Sequence, residues 1–130
     1  MVRVLVVDDN IDQTVMLSNA LRHVGYSVKC ANTGPDGLKL ALQWQPDIVL
    51  LDIDLPGLDG YEVARRLRAA EKLRDGADVQ AAGAPIRLIA LTGYGSEADV
   101  ALALGAGFDS HMVKPCDVVE LVRLLSLPAP

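Results

Sequence analysis

Three carboxylates, a hydroxyl and an ammonium stand where apolar runs of this chain stop. Asp8 and Asp9 follow Val2–Val7, Asp52 follows Ile48–Leu51, Thr92 follows Ile86–Leu91, and Lys114 follows a run over roughly Phe108–Val113. Apolar runs of this length, bounded by Pro, Gly and Asp, read as buried strands. If the first and third run lie parallel and adjacent, Asp8, Asp9 and Asp52 meet at one sheet edge. Three like charges in one place repel, so the cluster calls for a cation, a proton or a reaction. Hard oxygen ligands suit Mg²⁺, which takes one or two carboxylates and keeps waters for a phosphate. A carboxylate can also attack phosphorus and form an aspartyl-phosphate. The transferred phosphoryl group needs donors and cations around it, and the Thr92 hydroxyl and the Lys114 ammonium are of the right types. Each residue alone has a plainer reading: the Asp pair capping a helix, Thr92 in a turn, Lys114 on the surface. Together, in this order at the ends of strands one, three, four and five, they favour phosphoryl transfer to Asp52.

The elements that would position these groups alternate regularly. The strand-like runs are Val2–Val7, Tyr26–Ala31, Ile48–Leu51, Ile86–Leu91 and about Phe108–Val113. Amphipathic segments separate them. Leu17, Ala20, Leu21 and Val24 form one helical stripe, and Val118, Leu121, Val122 and Leu125 another. A second helix is expected from Thr33-Gly34-Pro35, with a capping residue and Pro near its first position. A third follows Asp59-Gly60, with Val63, Ala64, Leu67 and Ala70 inward and Arg65, Arg66 and Arg68 outward. The expected fold is α/β: five strands in a parallel sheet with five helices covering both faces. In such sheets ligands sit outside the carboxyl ends of the strands, where all five chemical residues fall. The stretch 75–85 reads as a tolerated surface insertion, long for its place between a helix and a strand.

The 130 residues suit one domain, with 128–130 as a frayed tail or linker start. Half the residues are hydrophobic, which excludes disorder. A net charge of −5 argues against direct nucleic-acid binding and against an anionic membrane surface. No apolar stretch reaches the ~20 residues of a spanning helix, and the N-terminus has no signal-peptide pattern. Cys30 and Cys116 read as reduced thiols of a cytoplasmic protein.

The stretches Leu50-Leu51-Asp52-Ile53-Asp54-Leu55-Pro56-Gly57-Leu58-Asp59-Gly60, Leu91-Thr92-Gly93-Tyr94-Gly95 and Val113-Lys114-Pro115 resemble the receiver (phosphoacceptor) domain of bacterial two-component response regulators. The resemblance spans essentially residues 1–127. It implies a flavodoxin-like, doubly wound sheet of strand order 2-1-3-4-5. It implies phosphorylation of Asp52 by a histidine kinase or histidine phosphotransfer protein. It further implies Mg²⁺ held directly by Asp9 and Asp52, mostly through water by Asp8, and by the backbone carbonyl of Asp54. Thr92 and Lys114 would bind phosphoryl oxygens, and the Lys114-Pro115 bond would be cis. Asp54 and Tyr94 stand where receivers tune the lifetime of the phosphoryl group. His111 stands where an aromatic residue, commonly Tyr or Phe, turns inward behind the residue matching Thr92. Either His111 merely packs and hydrogen-bonds, or its imidazole makes the switch weaker or pH-sensitive. Output would pass to a downstream effector through the face of the fourth helix, fifth strand and fifth helix. The wording around Thr92 and His111 is similar to receivers on, or partnered with, hybrid sensor kinases.

Such a protein is no enzyme toward other substrates, catalysing only its own phosphorylation and dephosphorylation. Two alternatives compete. Asp52-Ile53-Asp54 resembles the Asp-x-Asp of haloacid dehalogenase-type phosphatases, but that motif normally follows the first strand and its Asp pair comes late. A phosphorylation-independent pseudo-receiver is disfavoured by the complete acidic set.

Overall fold

The computed structural model describes residues 2–77, 85–93, 97–114 and 117–126, apart from the side chains of 74–77, 97–100 and 103. The apolar runs form β1 (Arg3–Val7), β2 (Ser27–Ala31), β3 (Ile48–Asp52), β4 (Arg87–Thr92) and β5 (Ser110–Val113). Between and after them lie α1 (Ile11–Val24), α2 (Gly34–Trp44), α3 (Gly60–Ala77), α4 (Glu97–Ala106) and α5 (Val118–Ser126). The strands join in one sheet of order β2-β1-β3-β4-β5, with every pairing parallel.

The three central strands, β1, β3 and β4, are almost wholly apolar because both faces are covered, whereas the edge strands β2 and β5 are partly exposed and carry Lys29 and His111; successive side chains alternate between the two layers. Leu5, Val7, Val49, Leu51, Leu88 and Ala90 pack with Ala41 of α2, Val63, Ala64 and Leu67 of α3, and Ala106 of α4. Val4, Val6, Ile48, Leu50, Ile89 and Leu91 pack with Leu17 and Leu21 of α1 and Leu121 and Leu125 of α5. This period of two reaches the functional edge. Asp52 continues the Ile48–Leu50 side of β3, Asp8 the Val4–Val6 side of β1, and Lys114 the Met112 side of β5.

The helix ends follow their local chemistry. Asn10 caps α1, its side chain accepting a hydrogen bond from the Gln13 amide at 3.0 Å. Gly25 ends α1 in the left-handed region at φ 111°. Thr33 caps α2, as expected, with Pro in its first turn. At the start of α3 the absence of a side chain on Gly60 is required: a Cβ there would stand 2.5 Å from the Asp52 carbonyl oxygen. The helix therefore begins directly against the end of β3.

Three expectations are corrected. Val24 is 51% exposed, because α1 ends there; Thr14 and Ser18 take buried places on that face by donating to the Ile11 and Thr14 carbonyls. Arg68 does not point into solvent. Its guanidinium donates to the Gly107 and Ile86 carbonyls and pairs with Glu71 and Asp109, both at 3.0 Å. Asp75, Gly76 and Ala77 belong to α3, which shortens the stretch 75–85 as a loop, and 78–84 lie outside the described residues. The tail 128–130 also lies outside them.

Candidate functional site

Register brings the strand ends together. Val7 of β1 pairs with Leu51 of β3, so Asp8 and Asp52 are neighbours; Asp52 pairs with Leu91 of β4, beside Thr92. Thr92 in turn pairs with Val113, and its carbonyl accepts the Lys114 amide at 2.7 Å. Asp52 and Thr92 are the last residues of their strands.

Asp8, Asp9 and Asp52 each offer a carboxylate oxygen within 4.8 Å of the others. Asp8 and Asp52 are buried and Asp9 is exposed, so the cluster meets solvent on the Asp9 side. Lys114 is the countercharge. Its Nζ lies 2.8 Å from Asp52 Oδ2, in a hydrogen bond, and 3.0 Å from Asp8 Oδ2. The second contact is an ion pair without hydrogen-bond geometry, so Asp8 Oδ2 is buried and short of a donor. Burial disfavours the Lys114 ammonium, but the hydrogen bond to Asp52 and the negative charges of Asp52 and Asp8 outweigh it and hold its pKa above the ordinary value.

The remaining carboxylate oxygens of the two buried acids are held by backbone. Asp52 Oδ1 accepts from the Asp54 amide at 3.0 Å, and Asp8 Oδ1 from the Asn10 amide at 2.9 Å. Asn32 Nδ2, past the end of β2, donates to the Asp8 carbonyl at 2.8 Å. Asn10 and Asn32 are positioning residues that sequence reasoning passes over. Asn10 carries a readable signal, since it stands at the N-cap of the first helix, a place the sequence offers to the Asp pair before it.

A net surplus of negative charge, oxygen-only donors and an acceptor short of a partner fit a hard divalent cation of the Mg²⁺ type. Asp8, Asp9 and Asp52 would hold it, and it would neutralise charge on a bound phosphoryl group. Thus the structure brings together Asp8, Asp9, Asp52, Thr92 and Lys114. Asp54 is exposed beside them. His111 is exposed on edge strand β5, where it pairs with Ala90 and so lies on the sheet face of Ala90 and Thr92. It is not packed inward. Tyr94 and Pro115 lie outside the described residues.

An open parallel sheet of order 2-1-3-4-5, with an acidic cluster and one lysine at the carboxyl ends of its strands, defines a doubly wound, flavodoxin-like domain. Comparison with known proteins agrees. Residues 4–126 match the response regulator receiver domain family, and the chain belongs to it. It is 35% identical over 122 residues to the DNA-binding dual master transcriptional regulator RpaA of Synechocystis, covering 94% of this chain and 46% of that protein. It is 39% identical over 111 residues to the transcriptional regulatory protein AfsQ1 of Streptomyces coelicolor, covering 85% of this chain and 43% of that one. The chain thus spans less than half the length of these relatives. Among solved structures it is similar to the Vibrio cholerae chemotaxis protein CheY4, at 26% identity and TM-score 0.83, covering 96% of each chain. It is similar at 28% identity and TM-score 0.88 to the Saccharomyces cerevisiae receiver domain of Ssk1 crystallised with the histidine phosphotransfer protein Ypd1, covering 96% and 86%. No helix among the described residues is long and apolar enough to cross a membrane.

Proposed function

We propose that this domain accepts a phosphoryl group on Asp52 from a histidine kinase or histidine phosphotransfer protein and relays that event to an effector. The observation that carries the reading is the placement of Asp52: a buried carboxylate 2.8 Å from the Lys114 ammonium, with Asp8 and Asp9 beside it and Thr92 on the adjacent strand end. A bound divalent cation supplies positive charge for the phosphoryl oxygens. An Asp52 carboxylate oxygen attacks phosphorus, the new O–P bond forms, and the bond to the donor's histidine nitrogen breaks, the electron pair leaving with that nitrogen. Lys114 then turns from Asp52 Oδ2 toward a phosphoryl oxygen, and the Thr92 hydroxyl donates to another. The domain acts on no further substrate; its chemistry is its own phosphorylation and the later hydrolysis of the acyl phosphate.

The same reading gives the other residues their roles. The Asp54 carbonyl would complete the protein ligands of a bound cation. The exposed Asp54 carboxylate and Tyr94 set the access of water to the acyl phosphate, and so its lifetime. His111, on the sheet face of Thr92, turns inward as Thr92 moves, and this remodels the α4–β5–α5 face for an effector. Ypd1 in the Ssk1 complex supports a phosphotransfer protein as donor. The test is a histidine phosphotransfer protein carrying phosphohistidine, mixed with this domain and Mg²⁺. Label is expected to pass to wild type, and not to Asp52→Asn or in EDTA. Transfer to Asp52→Asn at the wild-type rate would overturn the proposal.

A further inference from the structure

A hollow between α2 and the loop that follows β3 takes no part in the phosphoryl site. It is an open groove of about 420 Å³ lined by Pro35, Leu38, Lys39, Leu42, Leu58 and Arg66. Four of these are apolar and both charged ones are cations, on a chain of net charge −5. Lys39 makes no ion pair among the described residues, and Arg66 has only the exposed Glu62 at 3.3 Å. A second hollow, of about 190 Å³, continues along the α2–α3 seam past Gln45, Ala70 and Ile86 and shares Leu42 with the first; its one charged residue, Glu71, is mostly buried and already paired with Arg68. Pro35, Leu38 and Leu42 form one stripe down α2, whose 11 residues span roughly 16 Å, and Gln45 follows at its C-cap. Leu42, 49% exposed, stands in the middle of the seam.

We infer that the α2–α3 seam is a docking groove for an acidic amphipathic helix of a partner protein. An elongated apolar floor about three turns long suits the i, i+3, i+4, i+7 face of a helix. Lys39 and Arg66, on the rim of the larger hollow, favour acidic flanks and repel basic ones. The groove is coupled to the reactive end of the sheet by one residue. Leu58 lines it, belongs to the loop Ile53–Asp59, and sets its carbonyl oxygen where a Cβ on Gly34 would stand, so only glycine fits there. A helix seated on Leu58 therefore bears on the loop whose Asp54 amide holds Asp52 Oδ1.

The test uses the full chain, isotopically labelled, and two synthetic amphipathic peptides of about 16 residues. They share a leucine stripe and differ in Glu against Lys on the flanks. The acidic peptide is expected to shift the amide resonances of Leu38, Lys39, Leu42, Leu58 and Arg66, and to bind about ten-fold more tightly than the basic one. Leu42→Glu, at a half-exposed position, is expected to abolish binding while the protein stays folded and Asp52 still takes phosphate from a small donor. Equal binding of both peptides, shifts confined to another face, or no binding up to about millimolar peptide would overturn the inference. So would concentration-dependent self-association that Leu42→Glu removes, which would assign the groove to a second copy of this chain.

Discussion

Replacing Asp9 with Asn should make the cation-free protein more stable. Asp9 has a carboxylate oxygen within 4.8 Å of both Asp8 and Asp52, and among the described residues no hydrogen bond to its side chain offsets the repulsion. Lys114 neutralises about one of the two buried acids, so Asp9 faces roughly one uncompensated negative charge. One such pair at 4.8 Å is worth about 0.9 kcal/mol in bulk water and about 3.5 kcal/mol at an effective dielectric of ~20. Asp9 is exposed, which places the effect toward the watery end, at ~1–2 kcal/mol. In EDTA, urea unfolding of Asp9→Asn should show a gain of that size with an unchanged slope, and its thermal midpoint should rise by about 4–8 °C. Added Mg²⁺ should then stabilise wild type more than the variant, because a cation held as proposed would bind the native state and the substitution would remove one of its carboxylate ligands. The gap should narrow or reverse. An Asp9→Asn protein less stable than wild type in EDTA would refute the reasoning, and so would a gain that Mg²⁺ leaves untouched.

Three further outcomes follow from the geometry. Lys114 has a raised folded-state pKa, so its stabilising contribution is present below its ordinary value of 10.5 and is lost as pH rises through the folded value. The stability difference between wild type and Lys114→Gln, followed by urea melts from pH about 9 to about 11.5, should hold steady and then shrink; a difference that grows would contradict this. Arg68→Met removes the cation that serves Glu71, Asp109 and two carbonyls, and should cost ~2–3 kcal/mol in chemical denaturation. Gly60→Ala puts a Cβ against the Asp52 carbonyl oxygen and Ile53 Cα, both rigid backbone. It should cost ~1–3 kcal/mol and slow Asp52 phosphorylation, whereas Gly25→Ala at the far end of α1 should leave that rate alone.

The sheet was legible because its three central strands are short apolar runs, as burial on both faces requires, while the edge strands β2 and β5 follow from the alternation of the segments around them. The site was legible for a related reason. Asp8, Asp52, Thr92 and Lys114 end, or directly follow, strands, and the same alternation that buries Val6, Leu50 and Met112 aims three of them at one site. What escaped depends on distant partners or on chain ends. Arg68 looks like an outward helix residue, yet its partners Gly107 and Asp109 lie 39 and 41 positions away. Val24 fits the helical stripe but sits on the last residue of α1. Thr14 and Ser18 look too polar to bury, and become suitable only because helix carbonyls take their hydroxyls. The exposure of His111 follows from β5 being the sheet edge, which the strand order reveals and the local sequence does not.

The measurement that tests the central claim most directly is intact-mass analysis after incubation with acetyl phosphate and Mg²⁺, with the modified peptide mapped. A single phosphoryl group on Asp52, absent without Mg²⁺ and absent in Asp52→Asn, is the predicted result. Equal labelling of Asp52→Asn, or turnover of many phosphate esters with no labelled protein, would contradict it.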